Sequence, residues 1–121
     1  MAPLAPPMAA RPRLTRRAEF LKVAAGRRKY VAPGLILQAA AGAEGASWRV
    51  GFTASRKVGN AVARNRARRR LRAVSATVMP AHARDDHDYV LIARAGTLTR
   101  LYPALLGDLE EGLRHLGAWR E

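Results

Sequence analysis

Hydrophobic positions recur at helical spacing in three parts of this 121-residue chain. The first part predicts a helix over residues 16–25, in which Phe20, Val23 and Ala24 share a face. Thr15 is its expected cap and Gly26 its expected end. Two longer stripes predict helices over residues 61–78 and 102–116, the latter with Pro103 in its first turn. Their apolar positions are Ala63, Ala67, Leu71, Val74 and Val78, then Tyr102, Leu105, Leu106, Leu109, Leu113 and Leu116.

Between the helices the pattern changes to that of strands. An extended segment begins at Tyr30-Val31, breaks at Pro33-Gly34 and resumes over residues 35–39. The next segment, Trp48–Ser55, alternates between two sides, and residues 41–47 (AGAEGAS) predict a hairpin connection leading into it.

The second helix has boundary signals at both ends. Gly59-Asn60 predicts a sharp turn with Asn60 as the N-cap, and Pro80 is expected to lie beyond the helix. A polar loop, His82–Asp88, would follow. The nearly continuous apolar run YVLIA at residues 89–93 is typical of a buried strand.

Composition is ordinary except for charge. Hydrophobic residues make up 49% and charged residues 26% of the chain, as in a single globular domain. The net charge is +13, from 22 Lys and Arg against 9 Asp and Glu, which favours an anionic partner. There is no cysteine, which excludes disulfides and thiolate metal sites and is compatible with the cytoplasm, where we expect the protein.

Basic residues concentrate on the second helix and the turn before it. Residues 56–72 contain eight bases and no acid, and no acid lies between Glu44 and Asp85. At about 100° per residue, the arginines fall opposite or beside the apolar stripe. One edge of this helix can therefore pack on a core while the rest presents guanidinium groups, and phosphate would relieve their mutual repulsion.

The segment VGNAVARNRARRRLR, following RVGFTAS, strongly resembles the bacterial ribonuclease P protein family. The matching positions are Arg56-Lys57, Gly59 to Val62, Arg64 to Arg66, Arg68-Arg69 and Arg72. The flanks agree from Arg13-Leu14 to Phe20 and Val23, and again at Asp88 to Arg94. The resemblance covers roughly residues 13–116 and its motif is long and ordered.

The resemblance implies an α+β fold: a two-layer α/β sandwich with a four-stranded sheet and three helices, ribosomal protein S5 domain 2-like, with a left-handed βαβ crossover. We expect one RNA-binding domain at residues 13–118, and the composition of residues 1–12, rich in proline and alanine, predicts a disordered tail before it. The resemblance also implies a subunit of a tRNA-processing ribonucleoprotein. Its partners would be ribonuclease P RNA, which carries out catalysis with Mg²⁺, and precursor tRNA, whose 5′ leader lies between the first helix and the sheet.

These considerations predict two groups of binding residues. RNA-binding candidates are Arg56, Lys57, Asn60, Arg64, Asn65, Arg66, Arg68, Arg69 and Arg72. Leader-cleft candidates are Phe20, Arg27, Arg28 and Tyr30.

Alternatives stay open at several of these positions. Phe20 either stacks on a base or packs in the core, and Tyr30 either lines the cleft or packs in a half-buried strand. Asn65 makes either a cap-like contact, a contact with a base, or a helix–loop hydrogen bond. The basic turn at residues 27–29 either meets phosphate or is plain solvated surface.

Other functional classes find less support. His82 and Asp85 to Asp88 have metal-binding side chains but no recognised ligand spacing, so we expect a solvated acidic loop and no metal site. The sequence has no nucleophile paired with a base, so we do not expect catalysis by the protein. It has no glycine-rich phosphate loop, so we expect neither a nucleotide cofactor nor a small-molecule substrate. A general RNA- or ribosome-binding module is the main alternative. A membrane-surface protein is disfavoured because the basic helix lacks large apolar anchors.

Overall fold

A computed structural model describes residues 13–121 of the chain. The tail predicted over residues 1–12 lies outside the described residues. Three α-helices and four strands follow in the predicted order of helix, extended segments, helix, strand and helix. Their bounds are α1 Arg17–Ala25, β1 Lys29–Val31, β2 Leu35–Ala41, β3 Arg49–Thr53, α2 Ala61–His82, β4 His87–Ala93 and α3 Tyr102–His115.

The strands form one mixed sheet in the order β1-β2-β4-β3. β4 pairs antiparallel with β2 and parallel with β3. The hairpin predicted at residues 41–47 is therefore wrong, because β2 and β3 are not neighbours. The apolar run of β4 needs cover on both faces, which a central strand receives. β4 accordingly lies between β2 and β3, and its residues Tyr89, Val90 and Leu91 are at most 1% exposed.

The two faces of the sheet are covered unequally. On one face, α3 packs over β2, whose alternate residues Leu35, Leu37 and Ala39 are buried, and α2 packs over β3 and β4, so that the two helices enclose the main core. On the opposite face, the shorter α1 covers part of β2 and β4, with Leu14, Val23 and Val90 buried between them. The molecule is thus an α+β sandwich of sheet and paired helices, with α1 leaving much of the second face open.

The beginning of α2 follows the sequence prediction. Gly59 has φ 144°, a left-handed conformation that favours glycine, and turns the chain into the helix. Asn60 is the N-cap, and its side-chain oxygen accepts a hydrogen bond from the N–H of Ala63 at 2.9 Å. The predicted stripe is confirmed from Ala67 to Val78, where all four residues are at most 3% exposed.

The end of α2 differs from the prediction, because the helix runs through Pro80 to His82. Pro80 lacks an N–H and would ordinarily end the helix nearby. Here Arg120, near the C-terminus, donates hydrogen bonds to the carbonyls of Pro80, Ala83 and His82 at 3.0, 2.9 and 2.7 Å. The ring of Trp119 also stacks on His82, with centroids 3.7 Å apart. Donors that are distant in sequence therefore satisfy the last turn.

The cap of α1 is also different from the prediction. Arg16, not Thr15, is the N-cap residue. One carboxylate oxygen of Glu19 accepts hydrogen bonds from the backbone N–H groups of Thr15 and Arg16, both at 3.0 Å. Hydrogen bonds from the backbone of Arg16 and Thr15, and then from Arg49, lower the pKa of Glu19 to about 2. Ala24, predicted on the apolar face of α1, is exposed.

Candidate nucleic-acid interface

The outer side of α2 carries a group of arginines that we call the arginine face. It consists of Arg66, Arg68, Arg69 and Arg72. Arg66, Arg69 and Arg72 are exposed and Arg68 is half-buried, whereas Ala67 and Leu71 between them are fully buried. The helical period thus separates the charges from the core, as the sequence predicts.

The polar contacts of these arginines leave their charge uncompensated. Arg68 donates a hydrogen bond to the side-chain oxygen of exposed Asn65, one turn earlier. Asn65 therefore contacts its own helix rather than a loop, and it holds the guanidinium of Arg68 in place. Within residues 13–121, no ion pair includes a side chain of α2. The arginine face therefore offers positive charge to a partner.

Arg70 lies on the same helix but has a different role. Its guanidinium donates to the carbonyl oxygens of Leu98 at 3.1 Å and Arg100 at 2.6 Å, just before α3. It therefore fixes the connection into α3 against α2. The sequence alone gives no sign of this difference between Arg70 and its neighbours.

Several arginines outside α2 are also occupied internally. Arg49 pairs with Glu19 and Asp88, and Arg100 pairs with Asp108. Hydrogen bonds to Asp88 raise the pKa of Arg49, and those to Asp108 raise the pKa of Arg100. Backbone carbonyls accept hydrogen bonds from the guanidinium groups of Arg28, Arg94 and Arg120.

The candidates before and at the start of α2 form the near end of this surface. Arg56 and Lys57 are exposed on a single 3₁₀ turn that the side chain of Ser55 caps through the N–H of Lys57. Asn60 is exposed, with its side-chain oxygen engaged in the cap, and Arg64 is half-buried. The basic surface therefore runs from this turn along α2.

Phe20 lies at a cleft between α1 and the sheet, which we call the α1 cleft. The cleft has a volume of about 400 Å³ and is lined by Thr15, Arg17, Phe20, Phe52 and Thr53. Phe20 is half-buried and lies directly over Gly51, where a Cβ would come within 2.5 Å of its ring. Phe20 therefore packs on the sheet and also borders the cleft, and its stacking on a base stays a prediction.

A second concavity lies beside the α1 cleft. It has a volume of about 370 Å³ and includes Ile36, Lys57 and Ile92. Ile92 pairs with Thr53 across β3 and β4, so both point to the α1 side of the sheet. The two concavities are therefore neighbours at the Thr53–Ile92 pair, and Lys57 borders the second one.

Two of the leader-cleft candidates are placed elsewhere. Tyr30 pairs with Leu37, which faces α3, and its ring lies 4.8 Å from that of His115. The prediction that Tyr30 lines a cleft beside α1 is therefore wrong, because strand alternation directs it to the other face. Arg28 donates to the carbonyl of Leu116 at 2.8 Å, behind the sheet. Arg27 is exposed after α1, with φ 59°.

Sequence reasoning missed several residues that line the α1 cleft, namely Thr15, Arg17, Phe52 and Thr53. A signal for one of them was available. A glycine within a strand, such as Gly51, often marks a place where another group approaches the backbone closely. Thr53 is two residues further along β3, so it points to the same side and lies next to that group. That group is Phe20.

The polar residues of the loop after α2 do not converge. His82 stacks on Trp119, His87 bonds to the carbonyl of Asp85, and Asp88 is buried on β4 beside Arg49. The prediction of a solvated loop as far as Asp88 is therefore wrong at its end, because Asp88 is buried in β4. The part of the chain described here has no cluster of three potential metal ligands. Among residues 13–121, no helix combines the length and apolarity that crossing a membrane would require.

Known proteins resemble this chain in sequence over most of its length. The family model "Ribonuclease P" matches residues 8–117. The ribonuclease P protein component of Paramagnetospirillum magneticum is 59% identical over 116 residues, covering 92% of this chain and 87% of the relative. That of Gluconacetobacter diazotrophicus is 50% identical over 105 residues, covering 87% and 90%.

Solved structures share the fold at low identity. The RNase P protein of Staphylococcus aureus superposes with a TM-score of 0.74 at 22% identity, covering 89% of this chain and 97% of that one. The Thermotoga maritima protein gives 0.69 at 22% identity, covering 88% and 96%. Together with the family match over nearly the whole sequence, these similarities show that the chain belongs to the ribonuclease P protein family.

Proposed function

We propose that this chain is the protein subunit of ribonuclease P and that it binds the RNA subunit through the arginine face of α2. The observation that carries the proposal is the contrast among arginines within residues 13–121. Arg49 and Arg100 have carboxylate partners, whereas the arginine face projects from a buried seam of α2 without any. Carboxylates would neutralise such a face in a protein that met no polyanion.

The physical work of the protein follows from charge. A large RNA and a precursor tRNA are both polyanions and repel one another. A protein with net charge +13 that places guanidinium groups on phosphates releases counterions and lowers this repulsion. Arginine suits this role because its planar fork donates two hydrogen bonds to one phosphate.

The α1 cleft is the proposed site for the single-stranded 5′ leader of precursor tRNA. Its mixed lining of the aromatic Phe20, the basic Arg17 and the hydroxyl of Thr53 suits an unpaired nucleotide. Bases stack on aromatic rings with little dependence on sequence, while a basic side chain follows the backbone. The neighbouring concavity, which Lys57 borders, gives the leader a route toward α2.

The proposal assigns the hydrolysis of the phosphodiester to the RNA subunit and its Mg²⁺ ions, as the family resemblance implies. Within the described residues, the side chains of this chain serve to bind, orient and neutralise. The product would be a tRNA with a mature 5′ end.

Reconstitution tests the proposal. The chain is added to a bacterial ribonuclease P RNA at a magnesium concentration too low for that RNA alone to cleave precursor tRNA. We expect cleavage at the mature 5′ end with both components and none with the protein alone. Cleavage by the protein alone would contradict the assigned roles. A protein that binds many RNAs equally and stimulates no cleavage would indicate a general RNA-binding module.

A further inference from the structure

One guanidinium joins α1 to the sheet. The Nε and Nη2 atoms of Arg49, on β3, donate to the two carboxylate oxygens of Asp88 at 3.0 and 2.8 Å. Its Nη1 atom donates to Glu19 Oε2 on α1 at 2.6 Å. The other oxygen of Glu19 accepts the two hydrogen bonds at the start of α1. The same carboxylate thus closes the beginning of the helix and fastens it to β3.

The other attachments of α1 to the sheet are the apolar contacts of Phe20 and Val23 and, just before the helix, a hydrogen bond from the N–H of Leu14 to the carbonyl of Val50 at 3.1 Å. Among its nine described residues, only Val23 is buried. Val23 packs with Leu14 and Val90 in a small cluster that is separate from the main core. Such a cluster sets the distance of the helix from the sheet but constrains its orientation weakly, because the hydrophobic effect is non-directional. A directional link comes from the hydrogen bond of Arg49 Nη1 to Glu19, while the two bonds to Asp88 hold the guanidinium itself on the sheet.

The position of α1 determines the shape of the α1 cleft. Phe20 follows Glu19 directly, and Arg17 lies one turn before it on the wall of the cleft. On the opposite wall, Thr53 points to the same side of β3 as Arg49, four residues earlier. Any shift of α1 relative to β3 therefore moves the aromatic ring and Arg17 relative to Thr53.

We propose that Arg49 is a positioning residue for the leader site: through Glu19 and Asp88 it holds α1 so that Phe20 and Arg17 face Thr53 across the cleft. The inference rests on the proposed function, since it concerns leader binding by the same cleft. Arg49 itself need not contact RNA, because its nitrogens are directed to carboxylates.

A second ion pair in the molecule provides a matched control. Arg100, just before α3, binds Asp108 in the middle of that helix through Nε and Nη2 at 2.7 and 3.0 Å. Its exposure resembles that of the first pair, with side chains 32% and 7% exposed against 34% and 6% for Arg49 and Asp88. Arg100 lies outside the α1 cleft. Removing either guanidinium leaves a buried carboxylate, but only Arg49 connects α1.

The experiment compares the holoenzyme reconstituted with the wild-type chain, Arg49→Met, Glu19→Gln or Arg100→Met. Binding of precursor tRNA is measured with its full leader and with the leader cut back to its last nucleotide. The ratio of the two dissociation constants reports leader binding alone. The affinity of each variant for the RNA subunit and its circular dichroism spectrum are measured in parallel.

We expect Arg49→Met to weaken binding of the full-leader substrate about five- to tenfold, roughly the effect of losing one stacked base. Binding of the trimmed substrate and of the RNA subunit should change less than about twofold. Glu19→Gln keeps the hydrogen bonds at the helix start but removes the charge, and it should give a smaller loss in the same direction. It also keeps Arg49 paired with Asp88, so it tests the idea even if Arg49→Met folds poorly. Arg100→Met should leave the leader ratio at the wild-type value.

The outcomes separate the inference from the proposed function. A wild-type holoenzyme that binds both substrates equally would overturn leader binding by the chain, and the inference with it. A wild-type leader ratio retained in folded Arg49→Met and Glu19→Gln would overturn the inference alone. Equal losses in Arg49→Met and Arg100→Met would also overturn it, since they would reflect general destabilisation.

Discussion

Arg70 and Arg72 carry the same charge two residues apart on α2, yet the structure predicts opposite consequences for replacing each by glutamine. Arg70 donates two hydrogen bonds, at 3.1 and 2.6 Å, to the carbonyls of Leu98 and Arg100. Hydrogen bonds from charged donors contribute about 1.5–3 kcal/mol each where they are buried, and Arg70 is half-buried. Arg70→Gln should therefore lower the free energy of unfolding by about 1–3 kcal/mol. Arg72 is exposed, and Arg72→Gln should change it by less than about 0.5 kcal/mol.

For RNA binding we expect the larger effect from Arg72→Gln and the smaller effect from Arg70→Gln. The logarithm of the binding constant falls with the logarithm of salt concentration by about 0.7–0.9 for each phosphate neutralised. Arg72→Gln should therefore reduce this slope by about 0.7–0.9, whereas Arg70→Gln should reduce it by less than half as much. Urea denaturation and filter binding to the RNA subunit at several salt concentrations measure the two quantities. Equal slopes for the two variants would refute the division between structural and RNA-binding arginines.

Three further predictions concern the helix ends and the cleft. Gly51→Ala should cost about 1–3 kcal/mol in urea denaturation and weaken leader binding, because the new Cβ would lie 2.5 Å from the ring of Phe20; unchanged stability would contradict this packing. Asn60→Ala should cost about 1 kcal/mol, because the N–H of Ala63 loses its acceptor, and Asn60→Asp should retain most of the stability. Since the pKa of Glu19 is lowered from 4.5 to about 2 by folding, its contribution is present above pH 4.5 and lost as the pH falls toward 2. Acid unfolding of Glu19→Gln should lack that component, and a carboxyl NMR titration midpoint near 4.5 in the wild type would contradict it.

The helices were predictable because their signals are local. The stripe of α2 repeats over about four turns, and the Asn60 cap and the Pro103 helix start each depend on a few adjacent residues. The arginine face follows from the same periodicity. For that reason the charged side of α2 could be identified before the structure was known.

Strand pairing was not predictable in the same way. The turn residues between β2 and β3 show that the chain bends there, but not which strands meet afterwards. That choice depends on the long crossover of α2 and on the need to cover both faces of β4. The face to which Tyr30 points depends on the register of β1 with β2, which a three-residue strand does not reveal.

The remaining differences between the sequence predictions and the structure come from hydrogen bonds between residues far apart in the sequence. The end of α2 depends on Arg120, about 40 residues beyond Pro80. The separate roles of Arg49, Arg70 and Arg72 depend on which acceptors the fold brings near each guanidinium. Identical side chains give identical sequence signals, so only the structure distinguishes a structural arginine from one that is available to RNA.

Site-specific crosslinking tests the central claim most directly. A photoreactive side chain is introduced in place of Arg72 on the arginine face or, as a control, in place of exposed Glu111 on α3, and each variant is irradiated in the holoenzyme. We predict crosslinks from position 72 to the ribonuclease P RNA and none from position 111. Crosslinks from position 111 with none from position 72 would contradict docking of α2 on the RNA.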